Sequence, residues 1–328
     1  MASETRKDLY SVVLPLYHFS KILGLTPFTL DGKIGARNFE VSYLGLTYSI
    51  VIGIVSIICH SLFLFYDSSE YFSEKVFLAA SNLQLISQLS LTLLLYVMLF
   101  IKNRSILNII NKLSNINKIH KNDSYRIWHI VLLCWIFIIF STHISVTVTY
   151  NLLVKSPNIY LRISQNSGSF SFVIFNIVEI HFINIMFLLK KYFSTINSTI
   201  CDVMNEFHSS EVTKHLKKVK DLNLLSKIVN STKRKLKYLK ELHCDISNIA
   251  EYANSTYNMK ILFIVADKFC IFLSNTYFTT VTILNYDRGP FDSKLWDVTV
   301  TIMMCVNMLQ FVLILWYSST AANEVSSC

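Results

Sequence analysis

The chain alternates between long apolar runs and shorter polar or basic segments. Six runs reach the roughly 20 residues that a helix needs to cross a bilayer. They cover residues 43–66, 76–101, 127–152, 170–189, 261–283 and 295–317. Gly (7) and Pro (4) are scarce, which favours long uninterrupted helices over a turn-rich β fold. The pattern predicts an all-α, polytopic membrane protein with a bundle of six transmembrane helices.

Helical spacing of apolar residues continues outside these runs. After residue 189 it persists through Phe193, Ile196 and Ile200, and a second amphipathic stretch over residues 236–253 leads into the fifth run. We therefore expect helices 4 and 5 to extend into a basic, cytoplasmic, anchor-like segment over residues 190–260. Residues 1–42 form an N-terminal segment whose apolar patch predicts an interfacial helix ending near Gly24 and Pro27. The alternative for that segment is an unstructured tail.

Positive charge is divided unequally between the two sides of the predicted bundle. Most Lys and Arg lie in residues 1–42, 102–126 and 190–260. The opposite loops hold only Lys75, Lys155, Arg162, Arg288 and Lys294. Since cytoplasmic loops carry the excess of Lys and Arg, we expect a cytoplasmic N-terminus and, after six crossings, a cytoplasmic end at residues 318–328.

Composition narrows the function classes. The chain is 52% hydrophobic and 16% charged, with a mean hydropathy of +0.44, whereas soluble domains carry about a quarter charged residues. The net charge of +9 lies in loops beside apolar runs and comes with no recognition motif, so we expect the lipid bilayer and no nucleic acid as partner. No Cys/His spacing typical of zinc sites is present, and we expect no metal and no cofactor.

Polar residues recur on single faces of the second and third runs. Gln84 and Gln88 are one turn apart in the outer half of the second run, and this face should point into the bundle because an amide facing lipid is costly. Their role is either interhelical hydrogen bonding or the lining of a ligand cavity. His143 and Tyr150 lie in the hydroxyl-rich outer half of the third run. His143 is either a packing histidine or a ligand contact.

Glu179 lies near the middle of the fourth run, where a carboxylate is expensive unless it is paired or protonated. Its candidate partners are His181 and Lys268. A structural ion pair is the first interpretation and a proton relay the second, and Glu179 is also one of the predicted ligand-binding residues. A relay needs aligned acids on several helices, and the sequence offers few.

The outer ends of the last two runs add further polar and aromatic residues. Asn275 and Tyr277 close the fifth run, and Trp296 and Asp297 open the sixth. Polar groups from several helices at one depth are what a pocket within a helical bundle requires. We expect a small, partly polar ligand to bond to Gln84, Gln88, His143, Asn275 and Asp297, with Tyr150, Tyr277 and Trp296 supplying packing surface.

Four short segments resemble insect gustatory receptors. Residues 187–200 (FLLKKYFSTINSTI) resemble the end of that family's fourth helix, and residues 243–277 its approach to the fifth, with His243 and the Asn-Met-Lys-Ile-Leu-Phe stretch. Residues 21–28 (KILGLTPF) are similar to its N-terminal element, and residues 313–325 to the exit from its sixth helix. Together the segments span nearly the whole chain, and their order is more specific than any one alone.

The resemblance implies a plasma-membrane receptor that senses small-molecule tastants. In this family the subunits form homo- or hetero-tetrameric, ligand-gated, nonselective cation channels. The family also carries a seventh, pore-lining helix with Thr-Tyr, five variable residues and Gln-Phe, and neither Thr276-Tyr277 nor Gln310-Phe311 completes that motif. We therefore expect this chain to be a fragment, a truncated isoform or a pseudogene-like product that does not form a pore alone.

Three other classes compete with a chemoreceptor. A G-protein-coupled receptor needs an outer N-terminus, which the charge distribution opposes. A transporter would show internal repeats and Gly- or Pro-broken helices, and the sequence shows neither. A transporter or another channel is nevertheless the second interpretation after a chemoreceptor. An enzyme would need a catalytic constellation. Glu179 and His181 are two residues apart and face different directions on a helix, so we predict no enzyme activity.

Overall fold

A computed structural model describes residues 9–32, 38–62, 75–119, 125–153, 159–208, 222–283 and 294–326. The described chain is almost entirely helical, in agreement with the predicted all-α class. The elements are α1 (Leu9–Ile22), β1 (Phe28–Asp31), β2 (Asn38–Val41), α2 (Tyr43–Ser61), α3 (Lys75–Ile119), α4 (Tyr125–Leu153), α5 (Ile159–His208), α6 (Leu222–Ile283) and α7 (Lys294–Ser326).

Five of these helices contain a stretch long and apolar enough to cross a membrane. The stretches are Tyr43–Ser61, Asn82–Ile116, Trp128–Thr149, Asn166–Glu206 and Asp297–Val325. The chain is therefore a multi-pass membrane protein built as a helical bundle. The sixth predicted crossing, residues 261–283, lies in α6, which is not among the five. Six crossings and the cytoplasmic N-terminus stay predictions.

Four helices, α3, α5, α6 and α7, are clearly longer than the apolar runs from which they were predicted. Helix α3 continues to Ile119, through most of the predicted loop 102–126. The reason is a buried stripe at Ile106, Ile109, Leu113 and Ile116, whose three- and four-residue spacing is that of an amphipathic helix. Helix α5 begins at Ile159 and continues to His208, and α6 is one helix of 62 residues. Helices α5 and α6, which correspond to the predicted transmembrane helices 4 and 5, thus extend beyond their apolar runs, as expected.

The described chain divides into two compact units. The first comprises residues 1–181 and 255–312, and the second comprises residues 182–254 and 313–328. The first unit contains the main hydrophobic core, in which Leu91, Ile139, Phe175 and Ile264 come from four different helices. In the second unit the Phe193 ring packs edge-on against His243, and the Asn197 amide donates to the Glu324 carbonyl at 2.9 Å.

The N-terminal segment is part of the first unit's core. Helix α1 forms where a helix was predicted, and Leu16 is fully buried within the core cluster. After α1 the chain turns at Gly24, whose φ of +70° is the left-handed conformation that glycine adopts without steric cost. The unstructured-tail alternative is therefore wrong for residues 9–32.

A short antiparallel hairpin follows, which the sequence did not predict. Its strands pair Phe28 with Val41 and Asp31 with Asn38. The side chain of Asn111 in α3 accepts a hydrogen bond from the Phe39 backbone N–H and donates one to the Phe39 carbonyl, both at 3.0 Å. A tertiary contact with α3 thus completes the backbone hydrogen bonding of β2, where local sequence gives little strand signal.

Candidate functional site

Lys268 in α6 is the centre of a buried polar cluster in the first unit. Its ammonium donates hydrogen bonds to Glu179 Oε2 at 2.6 Å, Gln310 Oε1 at 2.9 Å and Asn176 Oδ1 at 3.1 Å. An ammonium has three donors, so these bonds satisfy it completely. One side chain thereby connects α5, α6 and α7. Of the two partners proposed for Glu179, the structure selects Lys268, and His181 instead contacts the Ser20 hydroxyl in α1 at 2.6 Å.

The cluster extends to α4 through an amide of fixed orientation. Because Asn176 Oδ1 accepts from Lys268, its Nδ2 faces His143 Nε2, at 2.9 Å. An amide nitrogen only donates, so Nε2 accepts and the ring carries its proton on Nδ1. The His143 ring also stacks on Phe172 with centroids 5.8 Å apart. Packing and hydrogen bonding therefore both hold this histidine.

A neighbouring contact joins α3 to the same cluster. The Ser87 hydroxyl donates to Asp267 Oδ1 at 2.7 Å, and Asp267 directly precedes Lys268 in the chain. One turn further along α3, the Thr92 hydroxyl donates to Ser171 in α5 at 3.0 Å. Polar side chains of five helices, α3 to α7, therefore lie close together inside the first unit.

Four buried atoms of this cluster have no hydrogen-bond partner among the described residues. They are His143 Nδ1, Glu179 Oε1, Asp267 Oδ2 and Gln310 Nε2. Buried polar groups are nearly always bonded, so each such atom calls for an explanation. The set contains two donors and two acceptors. His143, Glu179 and Gln310 are connected through the hydrogen bonds of Asn176 and Lys268, and Asp267 directly precedes Lys268 in the chain. The cluster can therefore bind water or the polar groups of a ligand.

The predicted ligand residues differ in where the structure puts them. Gln88, His143, Glu179 and Asn275 are buried in the first unit. Gln84, Tyr277 and Asp297 are half-buried. The side chains of Tyr150 and Trp296 lie outside the described residues. The contacts join His143 and Glu179 through Asn176 and Lys268, and their role toward a ligand stays a prediction.

Sequence reasoning missed the residues that connect the cluster. Asn176 and Ser87 were not predicted as site residues, and Gln310 was considered only for the Gln-Phe motif. A helical wheel shows that Asn176 and Glu179 are three residues apart and share a face. No sequence pattern indicates that α7 brings Gln310 to the same ammonium. That contact depends on how the helices pack.

A cavity of about 120 Å³ lies between α6 and α7, on another side of Lys268. Its lining is almost entirely apolar, with Phe272, Met304 and Phe311 among its residues and Asn307 as the other polar side chain. All three ammonium donors are engaged by the cluster, so Lys268 offers this cavity no free donor. The cavity suits an apolar group.

Comparison with protein families identifies the chain. A family model described as 7tm chemosensory receptor matches residues 13–327, which is nearly the whole chain. The chain belongs to the 7tm chemosensory receptor family. A search of curated proteins gave no match. The suspected relation to insect gustatory and odorant receptors is thereby confirmed at the level of the family.

Membership agrees with the multi-pass helical structure of this chemosensory receptor. The matched region includes all seven helices described above except the first four residues of α1. The family is one of receptors and channels and not of enzymes. The buried cluster around Lys268 therefore lies inside the helical bundle of a receptor, which is where ligand sites between helices form.

Proposed function

We propose that this chemosensory receptor is of the gustatory type. It would act in the plasma membrane as a subunit of a ligand-gated, nonselective cation channel, with its N-terminus in the cytoplasm. Its ligand would be a small, partly polar tastant that enters the helical bundle from outside. Family membership supports the receptor role. The four unpartnered polar atoms around Lys268 support a ligand with hydrogen-bonding groups.

The polar atoms define the ligand chemistry. His143 Nδ1 and Gln310 Nε2 are donors, whereas Glu179 Oε1 and Asp267 Oδ2 are acceptors. A ligand hydroxyl both donates and accepts, so it can satisfy either kind of atom. Each buried atom left without a partner costs about 1–3 kcal/mol. A polyhydroxylated or similarly polar molecule would remove that cost on binding, and a pure hydrocarbon would not.

The network also suggests how binding would reach the rest of the subunit. Lys268 bonds simultaneously to Glu179 in α5 and Gln310 in α7. A ligand that bonds to Glu179 Oε1 or Gln310 Nε2 holds side chains whose other atoms bond to Lys268, so it changes the relative stability of alternative arrangements of α5, α6 and α7. A ligand shifts such an equilibrium only by its differential affinity for the two arrangements. Gating would then follow from a rearrangement of the Lys268 contacts.

Assembly with further subunits, identical or different, is the remaining part of the proposal. In the second unit, Leu239, Leu242, Ile246 and Ile249 form a buried stripe on α6, while exposed basic residues occupy the opposite face. This amphipathic design is typical of a helical anchor. We expect a homo- or hetero-tetramer, which single-molecule subunit counting in cell membranes would test.

The functional test is a ligand screen on the full chain, expressed alone and together with other receptor subunits. Calcium imaging and whole-cell current would report activation by a panel of sugars, bitter compounds and amino acids. Once a ligand is found, Gln88→Ala and Tyr277→Ala should each raise its half-maximal concentration roughly 3–10-fold, since a lost hydrogen bond at Gln88 and lost aromatic packing at Tyr277 each cost about 1 kcal/mol.

Matched controls lie on the same helices. Ile86→Ala and Leu273→Ala change exposed apolar side chains two residues from Gln88 and four residues from Tyr277, and they should leave the response unchanged. Equal responses of wild type, Gln88→Ala and Tyr277→Ala to every active ligand would exclude these two residues from the pocket. Substrate uptake without current would favour a transporter instead.

A further inference from the structure

Lys260 is a buried cation that has no carboxylate partner among the described residues. It lies in α6 at the start of the predicted fifth crossing, in the Asn-Met-Lys-Ile-Leu-Phe segment, and only 3% of it is exposed. The three ion pairs among the described residues involve Lys235, Lys237 and Lys268, and none involves Lys260. Its ammonium instead lies 5.1 Å from the centre of the Tyr257 ring, one turn earlier in the same helix.

The charges around Lys260 make its burial harder. Among the described residues, the charge that interacts with Lys260 is another cation, Lys102 in α3, and the neighbouring His181 in α5 supplies no negative charge. A buried charge is costly unless it is paired, and one cation–π contact returns only part of that cost. The arrangement therefore calls for a negative charge that the described residues do not supply.

A small cavity lies against this ammonium. Its volume is about 30 Å³, and its polar lining comes from Lys260, His181, Thr26 and Tyr257. The Thr26 hydroxyl donates to the Tyr17 carbonyl at 3.4 Å, and His181 is held by its 2.6 Å contact with Ser20. The walls are thus fixed by α1 and the residues after it. The space suits a water molecule or a single halide ion, and it is too small for a phosphate group or a carboxylate-bearing molecule.

We propose that this cavity is a binding site for a small inorganic anion of halide size, with chloride as the ordinary cellular occupant. The Lys260 ammonium supplies the charge and a hydrogen-bond donor. Apolar side chains from α3, including Leu95 and Leu99, line the same cavity, and their low local dielectric strengthens the attraction. The bound anion connects α6 to the wall formed by α5 and the N-terminal segment, so it stabilises the first unit. This inference does not depend on the proposed function.

The test is thermal unfolding of the purified full chain in detergent, at constant ionic strength, in chloride, bromide or gluconate. Gluconate is too large for the cavity. With chloride at several times its Kd, the melting temperature should be about 2–4 °C higher than in gluconate. Bromide should give a similar shift. Phosphate at the same ionic strength should give none.

Variants separate a specific site from general salt effects. Lys260→Met should abolish the difference between chloride and gluconate. Lys235→Met, which removes an exposed cation on the same helix, should keep it. A chloride shift that persists in Lys260→Met, or one that phosphate reproduces, would overturn the proposal, as would equal stability in all anions.

A second measurement covers the case in which Lys260→Met does not fold. Crystals of the unaltered chain grown in bromide should show an anomalous-scattering peak in contact with Lys260 Nζ. Absence of that peak, in crystals that diffract well enough to place the Lys260 side chain, would show that the ammonium is neutralised in some other way and would overturn the proposal.

Discussion

Removing the Lys268 ammonium should destabilise this receptor more than removing any exposed cation. The variant Lys268→Met keeps the length of the side chain and deletes its charge and its three donors. The direct attraction to Glu179 across 2.6 Å is about 6 kcal/mol at an effective dielectric constant near 20, and desolvation of the pair offsets much of it. The measurable effect is therefore the free-energy cost of leaving the Glu179 carboxylate buried without its partner.

That cost can be worked out from the contacts. Breaking a buried ion pair by removing one partner costs about 3–5 kcal/mol. The oxygens of Asn176 and Gln310 also lose their donor, at about 1 kcal/mol each when relaxation is allowed. A total near 5 kcal/mol corresponds to a fall in melting temperature of about 10 °C for a large domain. The double variant with Glu179→Gln and Lys268→Met leaves no isolated buried charge. It should therefore be more stable than Lys268→Met alone by at least about 2 kcal/mol.

The assay is the loss of monodisperse protein on heating, followed by fluorescence-detected gel filtration of tagged receptor in detergent. Lys237→Met is the matched control. Its ammonium and the Glu241 carboxylate form an exposed pair at 3.9 Å, and such pairs contribute less than about 1 kcal/mol. If Lys268→Met melts no lower than Lys237→Met, or if the double variant is as unstable as the sum of its two single variants, then Lys268 and Glu179 are not energetically coupled.

Two further predictions concern the N-terminal segment, with the same thermal assay. Leu16→Ala, at a fully buried position of α1, should cost about 2–5 kcal/mol, whereas Ile22→Ala at a position 66% exposed should change stability little. Equal effects would mean that α1 is not packed in the core. Asn111→Leu should cost about 1–3 kcal/mol, because the N–H and the carbonyl of Phe39 both lose their side-chain partner. A wild-type melting temperature in that variant would show that Asn111 does not hold the hairpin.

Residue types and their periodicity decided the architecture. Apolar runs of bilayer length predicted helices, and the structure has a helix at each one because an apolar segment in lipid must bond its backbone internally. The same periodicity, extended past Leu189, predicted the long continuation of α5. The same periodicity continues after residue 101, at Ile109 and Leu113, and it was not applied there. Residues 102–126 were therefore wrongly predicted as a loop, although α3 continues to Ile119.

Local reasoning also identified which polar residues needed an explanation. A carboxylate at the depth of Glu179 predicts a partner, because an unpaired charge in an apolar interior is too costly. The sequence offered both His181 and Lys268 and gave no reason to choose. Two residues along a helix, the side chains turn by about 200°, so Glu179 and His181 face different neighbours. The choice then depends on which helix lies on which side.

Only the tertiary structure decided which side chains of different helices contact one another. The Lys268 ammonium gathers Asn176, Glu179 and Gln310 because α5, α6 and α7 meet there, and separations of 42 to 92 residues leave no trace in local pattern. The same is true of Lys260, because the sequence does not distinguish it from other cations at a membrane boundary. Its burial beside Tyr257 and a cavity of about 30 Å³ appears only when the helices are packed. Periodicity fixes which face of a helix is buried, whereas packing fixes what that face meets.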